Sequence, residues 1–251
     1  MLKSKRLSKK YGKKTVVKEV DFHIPHGKIT SLIGPNGAGK STVLNMIARL
    51  IERESGDIMF KEKDVLEWNS TELAKNLSIL KQSNSLYLKL TIKELVEFGR
   101  FPYSKGNLTA EDREKVDIAI EYMELDDIKD RYLDELSGGQ RQRAYIAMVI
   151  AQDTEYLMLD EPLNNIDIKH SKNMMRLIRK LCNELHKTVI LVMHDLNFAS
   201  CYSDYIIAFK DGKILKAGNA EEVMTREVLE EIYELPVAIH NIEGRNICVY
   251  Y

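Results

Sequence analysis

The sequence predicts an α/β protein with a mostly parallel sheet covered on both faces by helices, an antiparallel β segment at the N-terminus and a helical insertion in the middle. Three observations carry this expectation. Short apolar runs at Lys28–Gly34 (KITSLIG), Glu155–Asp160 (EYLMLD) and Lys187–Met193 (KTVILVM) read as buried strands and alternate with segments of helical period. Ahead of them, Val16–Ile24 (VVKEVDFHI) shows the apolar alternation of a half-buried strand. Within residues 91–133, TIKELVEFGR and EDREKVDIAIEYMEL carry apolar residues at helical spacing with charges on the opposite face.

Taken in order, Leu2–Leu7 and Val16–Ile24 are short β segments. Lys28–Gly34 is a strand that runs into the glycine loop Gly34–Thr42 (GPNGAGKST), and Lys40–Leu50 is the helix after it. Leu77–Gln82 (LSILKQ) is another strand. A helical subdomain from about residue 84 to 152 follows, ending in the loop ELSGGQRQRA and a helix through about Gln152. The strand Glu155–Asp160 comes next, then a helix around Asp167–Leu185, the strand Lys187–Met193, and a hairpin of YIIAFK and KILKAG around Asp211-Gly212. The helix TREVLEEIYEL and a short tail, Ala238–Tyr251, close the chain, which reads as a single domain over 1–251.

Composition removes several function classes. Over 251 residues the net charge is −1, so nothing suggests binding to nucleic acid or anionic lipid. The basic residues gathered near the N-terminus, Lys3 to Lys14, read as a solvated edge. Cys182, Cys201 and Cys248 are few and widely spaced, which fits a reduced cytosolic compartment and argues against structural zinc. His23 and His26 flank a proline and read as a turn. No signal peptide is recognisable, and no apolar run approaches the ~18 residues a membrane span needs. Anchoring at a membrane would therefore require another subunit.

The chemistry is concentrated in a few short motifs. GPNGAGKS fits the phosphate-binding pattern G-x-x-x-x-G-K-[ST] with Gly34, Gly39, Lys40 and Ser41. Its glycines permit unusual backbone angles and a close approach to phosphates, its N–H groups form an anion nest, Lys40 reaches the terminal phosphates, and the Ser41 hydroxyl can ligate Mg²⁺. The strand before it and the helix after it are the context such a loop demands. In YLMLDEP, Asp160 ends a buried strand and suits Mg²⁺ held through its water shell. The next residue, Glu161, is placed to polarise an attacking water as a general base. A second loop, Ser137-Gly138-Gly139-Gln140, also opens a helix, either as an ordinary cap or as another holder of phosphate.

A phosphate loop, ELSGGQ, LMLDEP and a late histidine, in this order, resemble the ATP-binding subunit of an ABC transporter over almost the whole chain. The resemblance implies a P-loop NTPase core and a head-to-tail, ATP-dependent homodimer. Each ATP would lie between Gly34, Pro35, Asn36, Gly37, Ala38, Gly39, Lys40, Ser41 and Thr42 of one protomer and Ser137, Gly138, Gly139 and Gln140 of the other. It further implies Tyr11 stacked on adenine, Gln82 on Mg²⁺ and the attacking water, His194 on the γ-phosphate in support of Glu161, and Asp167 in communication between the two sites. Two departures are visible: Leu163-Asn164-Asn165 follows the Glu-Pro pair, and Ile166 precedes Asp167 where the family usually has leucine.

TIKELVEFGRFPY and LSGGQRQRAYIAMVIAQDTEYLMLDEP resemble the ATPases of ferric-siderophore, haem and cobalamin importers, and the siderophore group most closely. The implied protein sits at the cytoplasmic face of the membrane, docked on separate permease subunits through the segment after Gln82 up to about Tyr103. It serves a substrate-binding protein indirectly, and it lacks the regulatory domain of sugar-importer ATPases. Importers of haem, cobalamin, zinc or manganese share these motifs. So do soluble ABC-type ATPases of iron–sulfur assembly. A nucleotide-binding module without turnover is opposed by the intact Glu161 and His194.

Overall fold

The computed structural model of the protein describes residues 1–82, 89–164 and 166–250. Three expectations therefore lie wholly or partly outside the described residues: the start of the helical subdomain near residue 84, part of the segment after Gln82, and Asn165. Along the chain come β1 (Leu2–Tyr11), β2 (Lys14–Ile24), β3 (Ile29–Ile33), α1 (Lys40–Ile47), β4 (Ser55–Phe60) and β5 (Lys63–Asp64). They are followed by α2 (Ser70–Ala74), β6 (Leu77–Leu80), α3 (Ile92–Glu97), α4 (Phe101–Ser104), α5 (Ala110–Tyr122), α6 (Gly138–Ala151), β7 (Tyr156–Asp160) and α7 (Ile168–Leu185). The last elements are β8 (Thr188–Val192), α8 (Leu196–Tyr202), β9 (Tyr205–Lys210), β10 (Lys213–Gly218), α9 (Ala220–Val223), α10 (Arg226–Tyr233), β11 (Ala238–Ile242) and β12 (Arg245–Val249). Two compact units result, one of Met1–Trp68 with Thr188–Tyr251 and one of Asn69–Lys187.

The first unit contains an antiparallel sheet in the order β2-β1-β4-β5, as the N-terminal alternation predicts, although it includes strands that the sequence did not announce. β1 runs past Leu7 because Arg6 adopts a left-handed φ of 45° and the pairing with β2 shifts register there. Such a bulge breaks the two-residue period that marks a strand. β4 and β5 are joined by Lys61 and Glu62, both at positive φ (49° and 62°), a turn geometry that normally announces itself with Gly or Asn. In the same unit, β3 lies between β8 and β9 and pairs with both in parallel, while β9 and β10 form the expected antiparallel hairpin. All five residues of β3 and of β8 are buried, which is why both read as largely apolar runs without the alternation of a half-buried strand.

The tail expected after Leu235 is folded. β11 and β12 pair in antiparallel, and the hairpin seats on α8. The Asn197 amide copies a neighbouring strand there, accepting from Cys248 N at 2.8 Å and donating to Cys248 O at 3.2 Å. Ser200 Oγ donates to Asn246 O at 2.7 Å. Burial of the Cys248 thiol pushes it up to about 11, so it stays protonated.

In the second unit β6 and β7 pair in parallel, with Leu77 opposite Tyr156 and Leu80 opposite Leu159. Three of its helices begin at reciprocal side-chain caps that satisfy their first N–H groups. Thr91 and Glu94 form a reciprocal capping box at α3, Thr109 and Asp112 at α5, and Ser137 and Gln140 at α6. Packing is close enough that a Cβ on Gly99 would fall 2.1 Å from Met148 O in α6. Arg100 ties this group of helices together. Its Nε donates to Asp112 Oδ1 at 2.8 Å, its Nη1 donates to Ala151 O at 2.9 Å, and its guanidinium lies 3.9 Å from the centre of the Tyr103 ring. Among the described residues no helix is long and apolar enough to cross a membrane.

Arg100 and Asp112 expose only 4% and 5% of their side chains, so removing one partner leaves a buried charge behind. Asp112→Ala is expected to cost about 3 kcal/mol in urea unfolding. Thr109, through its N–H and then its hydroxyl, and Arg100 hold the Asp112 carboxyl below its ordinary value of 3.8. A carboxyl depressed on folding stabilises the fold above that value and loses its contribution as pH falls through the lower, folded one. Wild type should therefore lose stability below about pH 4 more steeply than Asp112→Asn.

Candidate functional site

β3 ends in a loop whose backbone is specialised for close contact. Gly34, Gly37 and Gly39 take φ of 138°, 78° and 103°. A Cβ on Gly34 would lie 2.2 Å from Phe209 O in β9, and one on Gly39 would lie 2.9 Å from Val16 O in β2. Glycine is thus required at both positions by conformation and by space. Lys40 is 5% exposed and curls back over the loop, its Nζ donating to Gly34 O at 2.7 Å and to Pro35 O at 2.9 Å. α1 starts at Gly39 with no side-chain cap and no acidic residue in its first turn. A helix start of this kind is suited to an anion. Pro35, Asn36 and Ala38 fill the bend, where Ala38 N donates to Pro35 O at 3.2 Å, and Ser41 and Thr42 are half-buried on the first turn of α1.

β8 runs parallel to β3, and Met193 N donates to Leu32 O at 3.1 Å just beyond its end. The next residue, His194, is exposed, and Asp195 caps α8 after it. The phosphate-type loop and His194 therefore leave the same ends of two adjacent parallel strands. Tyr11 closes β1 at the hairpin before β2, half-exposed at 50%, with Lys9 Nζ 5.3 Å from its ring centre.

In the second unit the parallel ends of β6 and β7 bring Gln82, Asp160 and Glu161 together. Asp160 is the last residue of β7 and only 5% exposed. Glu161 follows at a left-handed φ of 53°, which turns its side chain out of the strand. The carboxylate accepts from Gln82 Nε2 at 2.5 Å and from Asn164 Nδ2 at 3.3 Å. Of the two asparagines after the Glu-Pro pair, Asn164 therefore serves Glu161 within the chain.

The second glycine loop is a capped helix start. Ser137 Oγ accepts from Gln140 N at 3.3 Å, and Gln140 Oε1 accepts from Ser137 N at 3.0 Å. Ser137 and Gly138 are exposed, and Gly139 is half-buried. Asp167 caps α7 by accepting from His170 N at 3.0 Å, and its other oxygen lies 2.6 Å from His170 Nδ1. These contacts from His170 hold the Asp167 carboxyl below its usual range. The His170 ring packs 3.4 Å from where a Cβ on Gly139 would stand, so it joins Asp167 to the Ser137 loop. Sequence reasoning missed His170. Its only signal was an Asp-x-x-His spacing at a helix start, which histidines on ordinary surfaces share.

Donors suited to Mg²⁺ are present in both units. Among the described residues no group of three His, Cys, Asp or Glu side chains is gathered to hold a metal. The candidates are instead single hard oxygens: the Ser41 hydroxyl, the Gln82 amide oxygen and the buried Asp160 carboxylate. Mg²⁺ that arrives with a phosphate keeps several waters and takes only one or two protein oxygens, so hard oxygens of this kind, within either unit, suit it.

Comparison with known proteins adds a lineage to this geometry. The family described as ABC transporter matches residues 17–164. The petrobactin import ATP-binding protein YclP of Bacillus subtilis (strain 168) is 55% identical over 251 residues, covering 100% of both chains. The petrobactin import ATP-binding protein FatE of Bacillus anthracis is 51% identical over 250 residues, again covering 100% of both. Among solved structures, a dimeric bacterial ABC transporter cassette superposes with a TM-score of 0.78 at 31% identity, covering 88% of this chain and 99% of that one. The P-loop NTPase fold expected from the sequence is the fold these structures share.

The contact between Gly34 and Phe209 O sets a strict test. Gly34→Ala should lower the stability of the free chain by at least about 2 kcal/mol in urea unfolding, because left-handed strain and a backbone clash act together. Gly37→Ala, whose Cβ would meet nothing within 4 Å, should cost only its backbone strain.

Proposed function

The chain belongs to the ABC transporter ATP-binding family, an ATPase family, and from that premise we propose that it powers import of an iron(III)–siderophore through separate membrane permease subunits. The observation that carries the cargo class is whole-chain identity above one half to two petrobactin import ATP-binding proteins. The loop Gly34–Thr42 supports the ATPase role independently, since a buried lysine, specialised glycines and an uncapped helix start form a phosphate cradle.

In this reading the backbone of Gly34–Thr42 binds the ATP phosphates, and Lys40 reaches the terminal ones. Tyr11 stacks on the adenine. Ser41, Gln82 and Asp160 hold Mg²⁺, which offsets phosphate charge when bound. Glu161, steadied by Gln82 and Asn164, accepts the proton of the attacking water, and His194 donates to the γ-phosphate. Ser137, Gly138, Gly139 and Gln140 serve the nucleotide of a second copy, so the two glycine loops are halves of a site shared head to tail. Asp167 links those halves. The homodimer docks on the permease at the cytoplasmic face of the membrane, and a substrate-binding protein delivers the cargo to the permease.

Four outcomes are expected. Lys40→Ala should weaken ATP binding roughly thirtyfold, the loss of one charge-assisted hydrogen bond of about 2 kcal/mol, as read by calorimetry. Glu161→Gln should lower kcat by about 10²–10⁴ while retaining ATP. With excess ATP that variant should also elute as a dimer, and a monomer would count against the shared site. In cells lacking the gene, uptake of labelled ferric siderophores, petrobactin included, should fail and be restored by wild type but not by Glu161→Gln. Loss of haem or cobalamin uptake instead would reassign the cargo.

A further inference from the structure

The first glycine of the phosphate loop is gripped from a direction that none of the motifs accounts for. Gly34 is buried, and its N–H donates to the phenol oxygen of Tyr233 at 3.1 Å. Tyr233 is the last residue of α10, nearly two hundred positions along the chain from the loop it contacts. Burial pushes its phenol up to about 12, so the group stays neutral at any working pH. α10 is itself fastened beside the loop. Lys210 follows Phe209, whose carbonyl stands against Gly34, and its ammonium pairs with Glu234 at 2.8 Å and donates to Glu231 O.

Gly34 is therefore tied on both sides of its peptide. Its carbonyl is held by Lys40 at 2.7 Å and its N–H by Tyr233. The two ties differ in one respect. On the reading of Lys40 as a phosphate ligand, turning one or more of its three N–H donors to a nucleotide loosens the lysine tie, whereas the tyrosine tie does not compete with phosphate. We propose that Tyr233 is a positioning residue for the phosphate loop, keeping Gly34 in its left-handed conformation while Lys40 is engaged by the nucleotide. Its hydrogen bond then matters more in the bound state than in the free one. Deleting the phenol oxygen must lower affinity more than it lowers the stability of the empty chain. The inference rests on the reading of Gly34–Thr42 as a nucleotide loop.

The test is Tyr233→Phe in the full chain, which keeps the ring and removes only the acceptor. Calorimetric titration with ATP and with ADP should show both bound about fivefold more weakly, the fold-change of one neutral hydrogen bond. In the ATPase assay KM should rise with kcat unchanged, and the nucleotide-induced rise in Tm should shrink. In a Lys40→Ala background, where the lysine tie is absent in both states, the added Tyr233→Phe change should cause no further loss of affinity. Wild-type affinity for both nucleotides in Tyr233→Phe, with Lys40→Ala still impaired, overturns the role of Tyr233 alone. A fall in Tm equal in the free and bound chains also overturns it, because the phenol is then only a structural prop. Wild-type binding by Lys40→Ala overturns the nucleotide loop and the inference with it.

Discussion

A backbone carbonyl stands where the side chain of residue 34 would have to be. Phe209 O lies 2.2 Å from the Cβ position of Gly34, and Val16 O lies 2.9 Å from that of Gly39, so the loop is pressed against main chain at two of its glycines. Close approach of this kind cannot be achieved by side chains adjusting around one another. It requires the main chain of β9 and β2 to stand against the loop, so residues far apart in sequence jointly fix its shape. The buried position of Lys40 follows from the same packing. With the loop flattened against the sheet, the ammonium is covered and turns to the Gly34 and Pro35 carbonyls.

Strand ends supply the remaining chemistry, and each uses a different local device. Asp160 stays buried as the last residue of β7, where a carboxylate is useful only to a positive partner. Glu161, one residue later, is swung aside by its positive φ and comes into reach of Gln82 and Asn164. Two adjacent acids thus receive different surroundings from one backbone turn. His194 follows the end of β8 with no such turn, and Asp195 starts a helix immediately behind it.

Much of this was legible because the physics is local. Short, largely apolar runs marked β3, β7 and β8, helical spacing marked α3 and α5, and the spacing of Gly34, Gly39, Lys40 and Ser41 defined the loop. The unread parts depend on features a sequence does not display. The bulge at Arg6 and the turn at Lys61-Glu62 place ordinary side chains at positive φ, so neither carries the glycine or asparagine that would betray it. The C-terminal hairpin is held by Asn197 and Ser200 of α8, and its pattern alone is too short and too polar to predict pairing. Tyr233 and His170 act through tertiary contacts, with only weak local patterns around them.

The two glycine loops are alike in composition and differ in how they are satisfied, and the difference orders the proposed cycle. At α1 no side chain caps the helix, so an arriving phosphate displaces no capping bond. At α6 the Ser137 hydroxyl already accepts from Gln140 N, and the Gln140 side chain already serves Ser137 N. A phosphate that draws on the Ser137 hydroxyl or on Gln140 must share or open a capping box that contributes about 1 kcal/mol. The first loop is therefore the stronger anion site in an isolated protomer. In the proposed head-to-tail dimer the second would gain from a phosphate only as the rest of the interface forms around it, and a nucleotide bound first at the α1 loop would bring that phosphate to the partner.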